Sequence, residues 1–297
     1  MFIGIIIGLL SAFCMSGSYI FSRAFIRKHK SPICIAVYSQ ILMGFFGIAS
    51  LAISFFVAEI PLTPRFFLYV GGQVGGYVVG HTSFFMLLRY VEATRAASLI
   101  GLKIIALVLI AILMGTTVSS LQWLSVILCT IAAVGMNLSG GHLSFQSIFW
   151  LFLSVFGYAF TDVCITELML MMPGKSMLEN AFGVMGICYT VLGILALGGL
   201  FKYPYKREYL REVVPYSLCY FSSIFFLMAC FGLLGVVFGS IIQAGRGIIS
   251  ILLGIVLLHF GLEKSEPQVS ARMWIRRLIM ALLMLCAMII YSLTVQK

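Results

Sequence analysis

Apolar runs of about twenty residues, separated by short polar connections, constrain this chain more than any other feature. They fall at roughly 3–22, 33–57, 66–88, 94–115, 119–138, 146–168, 177–200, 213–232, 236–259 and 271–293. A helix rising about 1.5 Å per residue needs about twenty residues to cross the hydrocarbon core of a bilayer. The runs lack the short alternating segments of a transmembrane barrel. The expected fold is therefore an all-α polytopic membrane protein of about ten transmembrane helices. All seven prolines are expected in connections or near span ends, since proline breaks the helical ladder.

Composition agrees. Of the 297 residues 62% are hydrophobic and 9% charged, against about 25% charged in a soluble protein. That excludes a soluble enzyme, a nucleic-acid-binding domain and a disordered chain. The net charge of +10 does not imply nucleic acid, because the Lys and Arg residues sit mostly in short clusters between apolar runs, as topology signals do. The eight cysteines form no CxxC pair and fall almost all within apolar runs, where Cys acts as a small hydrophobe. Neither a disulfide framework, a metal site nor a cofactor is expected. A cleavable signal peptide is not expected either, because the first residues lack a basic start.

The two halves match at a constant offset. Ser11, Phe13 and Ser18 stand 143 positions before Ser154, Phe156 and Thr161, and Ala96, Ala97 and Lys103 stand 143 before Gly239, Ser240 and Arg246. One offset serving two separate spans implies a duplicated unit. Five spans is an odd number, so the second unit enters the bilayer inverted, an arrangement recurrent in transporters with a site near the midplane. Residues 1–141 and 142–297 are the expected repeats.

Three stretches carry a resemblance to a known family: AASLIGLKIIALVLIAILMG (96–115), LQWLSVILCTIAAVGMNLSGG (121–141) and GSIIQAGRGIISILLGIVLLHFG (239–261). Together with the five-plus-five layout they resemble EamA-type permeases of the drug/metabolite transporter superfamily. The resemblance implies ten spans, alternating access and no enzymatic activity. It also implies cytoplasmic termini and residence in a bacterial cytoplasmic (inner) membrane. The chain departs from the family pattern in spans 4 and 9. Lys103 and Arg246 lie near the positions of the usual prolines, and Thr116 follows Gly115. The charge count reads topology the other way. Fourteen Lys and Arg residues lie in the odd-numbered connections and three on the side of the termini, so the positive-inside rule puts both termini outside.

Ionisable residues within spans are costly, at about 2.5–3.5 kcal/mol near the centre on insertion scales, and mark functional candidates. Lys103 lies nine residues into span 4 and Arg246 ten into span 9. They are symmetry mates that either hold an anionic substrate group together or pair with protein acids. Asp162, the only Asp in the chain, is either a coupling carboxylate for protons or ions or the ion-pair partner of one of these cations. Gln243 shares nearly the face of Arg246. Gln73, Tyr77 and His81 recur every four residues beside Gly72, Gly76 and Gly80, and line a substrate path or bond between helices. Tyr19 and Tyr38 are further substrate-binding candidates.

The leading expectation is a permease for a small polar metabolite, anionic or zwitterionic, working as a monomer or homodimer in the lipid bilayer. Efflux of organic cations is the alternative, although span 1 lacks the acid such pumps carry. A remote alternative is an intramembrane hydrolase using Ser16 or Ser18 with His81.

Overall fold

The computed structural model describes residues 1–57, 59–91, 96, 99–115, 117–135, 143–203, 205–246, 249 and 271–295. Most of the opening of the fourth expected span, the second half of the ninth and the Asn137–Ser139 stretch lie outside the described residues. Ten α-helices are described, one in each expected run: α1 (Phe2–His29), α2 (Pro32–Val57), α3 (Pro64–Leu87), α4 (Lys103–Leu113), α5 (Ser120–Gly135), α6 (Phe145–Met171), α7 (Met177–Leu197), α8 (Arg207–Leu234), α9 (Val236–Ala244) and α10 (Ala271–Val295).

Helix starts follow local chemistry. Proline opens α2 and α3, where its missing N–H would be unbonded in any case. Thr63, Ser144 and Ser176 cap α3, α6 and α7, each side chain accepting from a backbone N–H three residues on. Gly235, at φ 79°, is the single residue between α8 and α9, a left-handed position that suits glycine. One expectation changes here. Pro215 lies inside α8, which begins at Arg207 rather than near 213. The first turns of α8 carry charge, and Arg211 is exposed. Water can therefore satisfy the Arg211 carbonyl that Pro215 leaves without a donor.

Five helices are long and apolar enough to cross a membrane outright: α1, α2, α6, α7 and α8. Helix α3 has the length, but Gln73, His81 and its glycines dilute its hydropathy. Helix α10 begins with Arg272, Arg276 and Arg277. Helices α4, α5 and α9 are shorter, at 11, 16 and 9 residues.

Packing is strongly paired. The main contacts are α2 on α7, α3 on α6, α1 on α8 and α5 on α10. Small residues permit them. Gly44 approaches Gly193 in the α2–α7 pair, and Gly76 and Gly80 approach Gly157 in the α3–α6 pair. Close backbone approach of this kind is how helices gain contact in lipid, where apolar burial alone gives little. Gly72, Gly76 and Gly80 all face α6, whereas Gly71 and Gly75 are exposed.

Candidate functional site

A cavity of about 40 Å³ lies where α1, α3, α6 and α8 meet the start of α4 and the end of α9. Both cations sit at helix breaks. Lys103 is the first residue of α4, directly after a 3₁₀ turn (Ile100–Leu102), and Arg246 follows the end of α9. Interrupted helices of this kind supply the sites of many transporters, because their loose ends bring polar groups to mid-membrane depth.

Lys103, Asp162, Gln243 and Arg246 all line the cavity and are 2–6% exposed. Lys103 Nζ donates to Asp162 Oδ2 at 2.5 Å and to Gln243 Oε1 at 2.9 Å. The ion pair joins α4 to α6 and offsets the cost of holding each charge away from water. Gln243 adds a neutral acceptor from α9. The Arg246 guanidinium lies 5.6 Å from the centroid of the Tyr19 ring, within cation–π range. Its backbone carbonyl accepts from Ser16 Oγ at 3.1 Å.

His81 reaches the cavity from α3. Its Nδ1 and the Tyr158 hydroxyl are 2.9 Å apart, and its ring stacks on Tyr77 with centroids 4.7 Å apart. Tyr77 stands one turn further from the cavity and accepts from Gln40 Nε2 at 2.7 Å. Gln73 is a further turn away and fully buried, and among the described residues neither of its amide atoms has a hydrogen-bond partner. The stripe predicted on α3 thus meets the cavity only at His81. Tyr38 does not approach it. Its hydroxyl accepts from the Lys206 backbone N–H at 2.8 Å, at the membrane edge where α8 begins.

The cavity also holds residues that four-residue spacing within span 3 does not reveal. Tyr158, Tyr216 and Tyr220 line it with Phe84 and Phe85. The 143-residue offset carries a signal for two of them, because Tyr216 and Tyr220 stand 143 positions after Gln73 and Tyr77.

The serine–histidine pair imagined for hydrolysis is engaged elsewhere. Ser16 Oγ donates to the Ala12 and Arg246 carbonyls and Ser18 Oγ to that of Met15, while His81 meets Tyr158. Among the described residues no three His, Cys, Asp or Glu side chains gather to hold a metal ion.

Ion pairs sit at both mouths of the bundle. Where α1 ends and α8 begins, Lys28 Nζ meets Glu208 Oε1 at 3.2 Å and Glu212 Oε1 at 2.5 Å, and His29 Nε2 lies 2.7 Å from Glu212 Oε2. Burial is slight there, and the two carboxylates hold the Lys28 ammonium above the usual lysine range, Glu212 contributing more than Glu208. At the opposite face, where α3 begins and α6 ends, Arg65 and Glu167 lie 3.7 Å apart.

Residues 2–138 match the model of the EamA-like transporter family. The comparison with curated proteins returns no match. Several solved structures are similar in fold, among them a crystal structure with a TM-score of 0.62 over 98% of this chain and 96% of that chain, at 13% identity. Residues 2–138 are thus similar to the EamA-like transporter family, and the chain, with five helices long and apolar enough to cross a membrane, is a multi-pass membrane protein.

Proposed function

We propose that the chain is a permease for a small polar metabolite with an anionic or zwitterionic group, moved by alternating access between inverted repeats 1–141 and 142–297. One observation carries this reading. The cavity draws on both halves and is lined by two cations, Lys103 and Arg246, against the single carboxylate of Asp162. An anionic group of the substrate would be attracted to both cations in a low-dielectric site.

The contacts support the repeat. Exchanging the halves turns α1 on α8 into α6 on α3, and returns α2 on α7, α4 on α9 and α5 on α10 to themselves. All five pairs are in contact. The cavity size supports a closed state between openings. About 40 Å³ holds roughly three waters at 10–15 Å³ each. Sites for metabolites run to about 300 Å³ or more, so the helices around it must part to load substrate. Residence in a bacterial inner membrane and coupling to protons or ions belong to the same proposal.

The test is a thermal-shift screen of the detergent-purified protein against anionic, zwitterionic, neutral and cationic metabolites. A ligand at about 100 times its Kd stabilises the folded state by about 2.7 kcal/mol. The expected result is stabilisation by anions or zwitterions that Arg246→Ala and Lys103→Ala both lose. Stabilisation by organic cations alone, or by anions equally in both variants, overturns the reading.

A further inference from the structure

The cavity is nearly symmetric under the 143-residue offset. Of the sixteen described residues that line it, twelve form six pairs that stand 143 apart, among them Lys103 with Arg246, Tyr19 with Asp162 and His81 with Ile224. Ser22, Phe85, Tyr216 and Tyr220 are left over. Ser22 near the end of α1, Phe85 near the end of α3 and Tyr216 near the start of α8 lie toward the mouth of Lys28 and Glu212, with Tyr220 one turn below Tyr216. Their counterparts under the offset are Ile165, Met228, Gln73 and Tyr77, all buried and none of them lining the cavity. Gln73, on the first turns of α3, and Ile165, near the end of α6, lie toward the other mouth, that of Arg65 and Glu167.

We propose that the site has a second face, formed when the chain opens toward the mouth of Arg65 and Glu167, in which Gln73 and Tyr77 take the places that Tyr216 and Tyr220 hold in this state. The inference rests on the alternating-access reading above, because an inverted repeat reaches its other state when the two halves exchange conformations. The six pairs map onto themselves in that exchange, so both states share the charged centre and only the rim changes. Two observations beyond the offset support this. Gln73 is fully buried, yet neither atom of its amide has a hydrogen-bond partner among the described residues. Gln40, which donates to Tyr77, has its Oε1 without a partner as well. Buried amides are almost always bonded, and a partner gained in another state accounts for one that is not. Tyr77 also stands directly behind the present wall, its ring centroid 4.7 Å from that of His81 and 6.5 Å from that of Tyr220. Gln73 is one turn further along α3, so a shift of about one turn, roughly 5.4 Å, brings both to the cavity. A primary amide offers donors and an acceptor together. The ligand class is therefore a metabolite that carries a neutral hydroxyl or amide beside its anionic group.

The test reads access with sulfonatoethyl methanethiosulfonate, a small anionic thiol reagent that does not cross membranes. It is added to one face at a time of proteoliposomes holding the full chain, and rates are corrected for the parent chain. Gln73→Cys is expected to react at least ~10-fold faster from the face of Arg65 than from the face of Lys28, and Tyr216→Cys with the opposite preference. Gly75→Cys, on the exposed side of α3, is expected to react from neither. A second measurement separates this role from a structural one. Gln73→Leu replaces an unbonded amide by an apolar group of similar volume and is expected to raise the melting midpoint of the purified chain. Gln73→Cys reacting equally from both faces, or not at all from the face of Arg65, overturns the inference, as does Gly75→Cys reacting as fast or a fall in midpoint for Gln73→Leu. Should Gln73→Cys fail to fold by size exclusion, Tyr77→Cys takes its place with the same expectation. Failure of the broader reading looks different: Tyr216→Cys, in the cavity of this state, then reacts from neither face as well.

Discussion

The seam between α3 and α6 and the seam between α1 and α8 each join residues 1–141 to residues 142–297 and are exchanged by the proposed repeat, yet they are closed by different means. In the first, backbone meets backbone. A Cβ added to Gly157 would stand 2.6 Å from the Gly80 nitrogen and 3.0 Å from the Gly76 oxygen. Ser154 Oγ donates across the seam to the Gly80 carbonyl at 3.0 Å. In the second, the positions equivalent to Gly157, Gly76 and Gly80 are Cys14, Cys219 and Ser223. Side chains fill the gap, and Ser223 Oγ donates to the Ser11 carbonyl at 2.8 Å. The ends differ in the opposite sense. The side-chain seam is clasped by Lys28, His29, Glu208 and Glu212, and the backbone seam has Arg65 and Glu167 at 3.7 Å. A seam of backbone contacts has no slack, because a packed backbone cannot rotate out of the way. A seam of side-chain contacts can adjust by changes of rotamer, and the clasp closes its mouth. For the permease proposed above, we infer that α1 and α8 are the part that moves.

The largest effect should come from filling the backbone seam. Gly157→Leu places a side chain where Gly80 backbone already stands, and overpacking at an unyielding site costs about 3 kcal/mol or more. The expected outcome is loss of folded protein, read as monodisperse yield after detergent extraction. The equivalent Cys14→Leu should still yield folded protein. If both variants fail alike, the two seams are equally rigid and the contrast is lost.

Much of this framework is legible in the sequence, and the limits are physical. Apolar runs near the length of a bilayer crossing locate all ten described helices, and five of these are long and apolar enough to cross a membrane outright. The constant offset joins Lys103 to Arg246 and places both at one cavity. Within a helix, four-residue spacing says that Gln73, Tyr77 and His81 share a face. It does not say which neighbour that face meets at each level, and only His81 reaches the cavity. Tyr38 fails for the same reason: its hydroxyl serves the start of α8. The clasp of Lys28 with Glu208 and Glu212 joins residues about 180 positions apart. Local pattern carries no information about the level at which two distant helices meet. Equivalence under the repeat does carry some, since Arg65 and Glu208 stand 143 positions apart.

A smaller effect is expected from the polar contact in the side-chain seam. Ser223→Ala removes the donor to the Ser11 carbonyl and the partner of Ser11 Oγ. Hydrogen bonds between helices in bilayers average about 0.6 kcal/mol and reach about 1.7. A loss within that range in reversible unfolding is expected, with the fold intact. A loss as large as that of Gly157→Leu would make the serine pair as indispensable as the glycine contact and erase the difference between the seams.

The smallest effects on stability belong to the two mouths, and there access separates them. Arg65 is 70% exposed in its side chain and 3.7 Å from Glu167. Exposed pairs of this kind contribute about 0–1 kcal/mol. Glu167→Gln should therefore leave the melting midpoint almost unchanged and leave access to the cavity as it was. Glu212→Gln removes the carboxylate charge that holds both Lys28 and His29, so it should loosen the mouth of the side-chain seam. The measurement is the rate at which a membrane-impermeant maleimide labels Ser22→Cys, a cavity-lining position one turn inside Ile26 on α1. Faster labelling in the Glu212→Gln background from the face that carries the clasp, with no change in the Glu167→Gln background, places the moving seam at α1 and α8. Equal rates in both backgrounds would mean that the clasp does not gate the cavity, and that the looser packing of α1 on α8 has another cause.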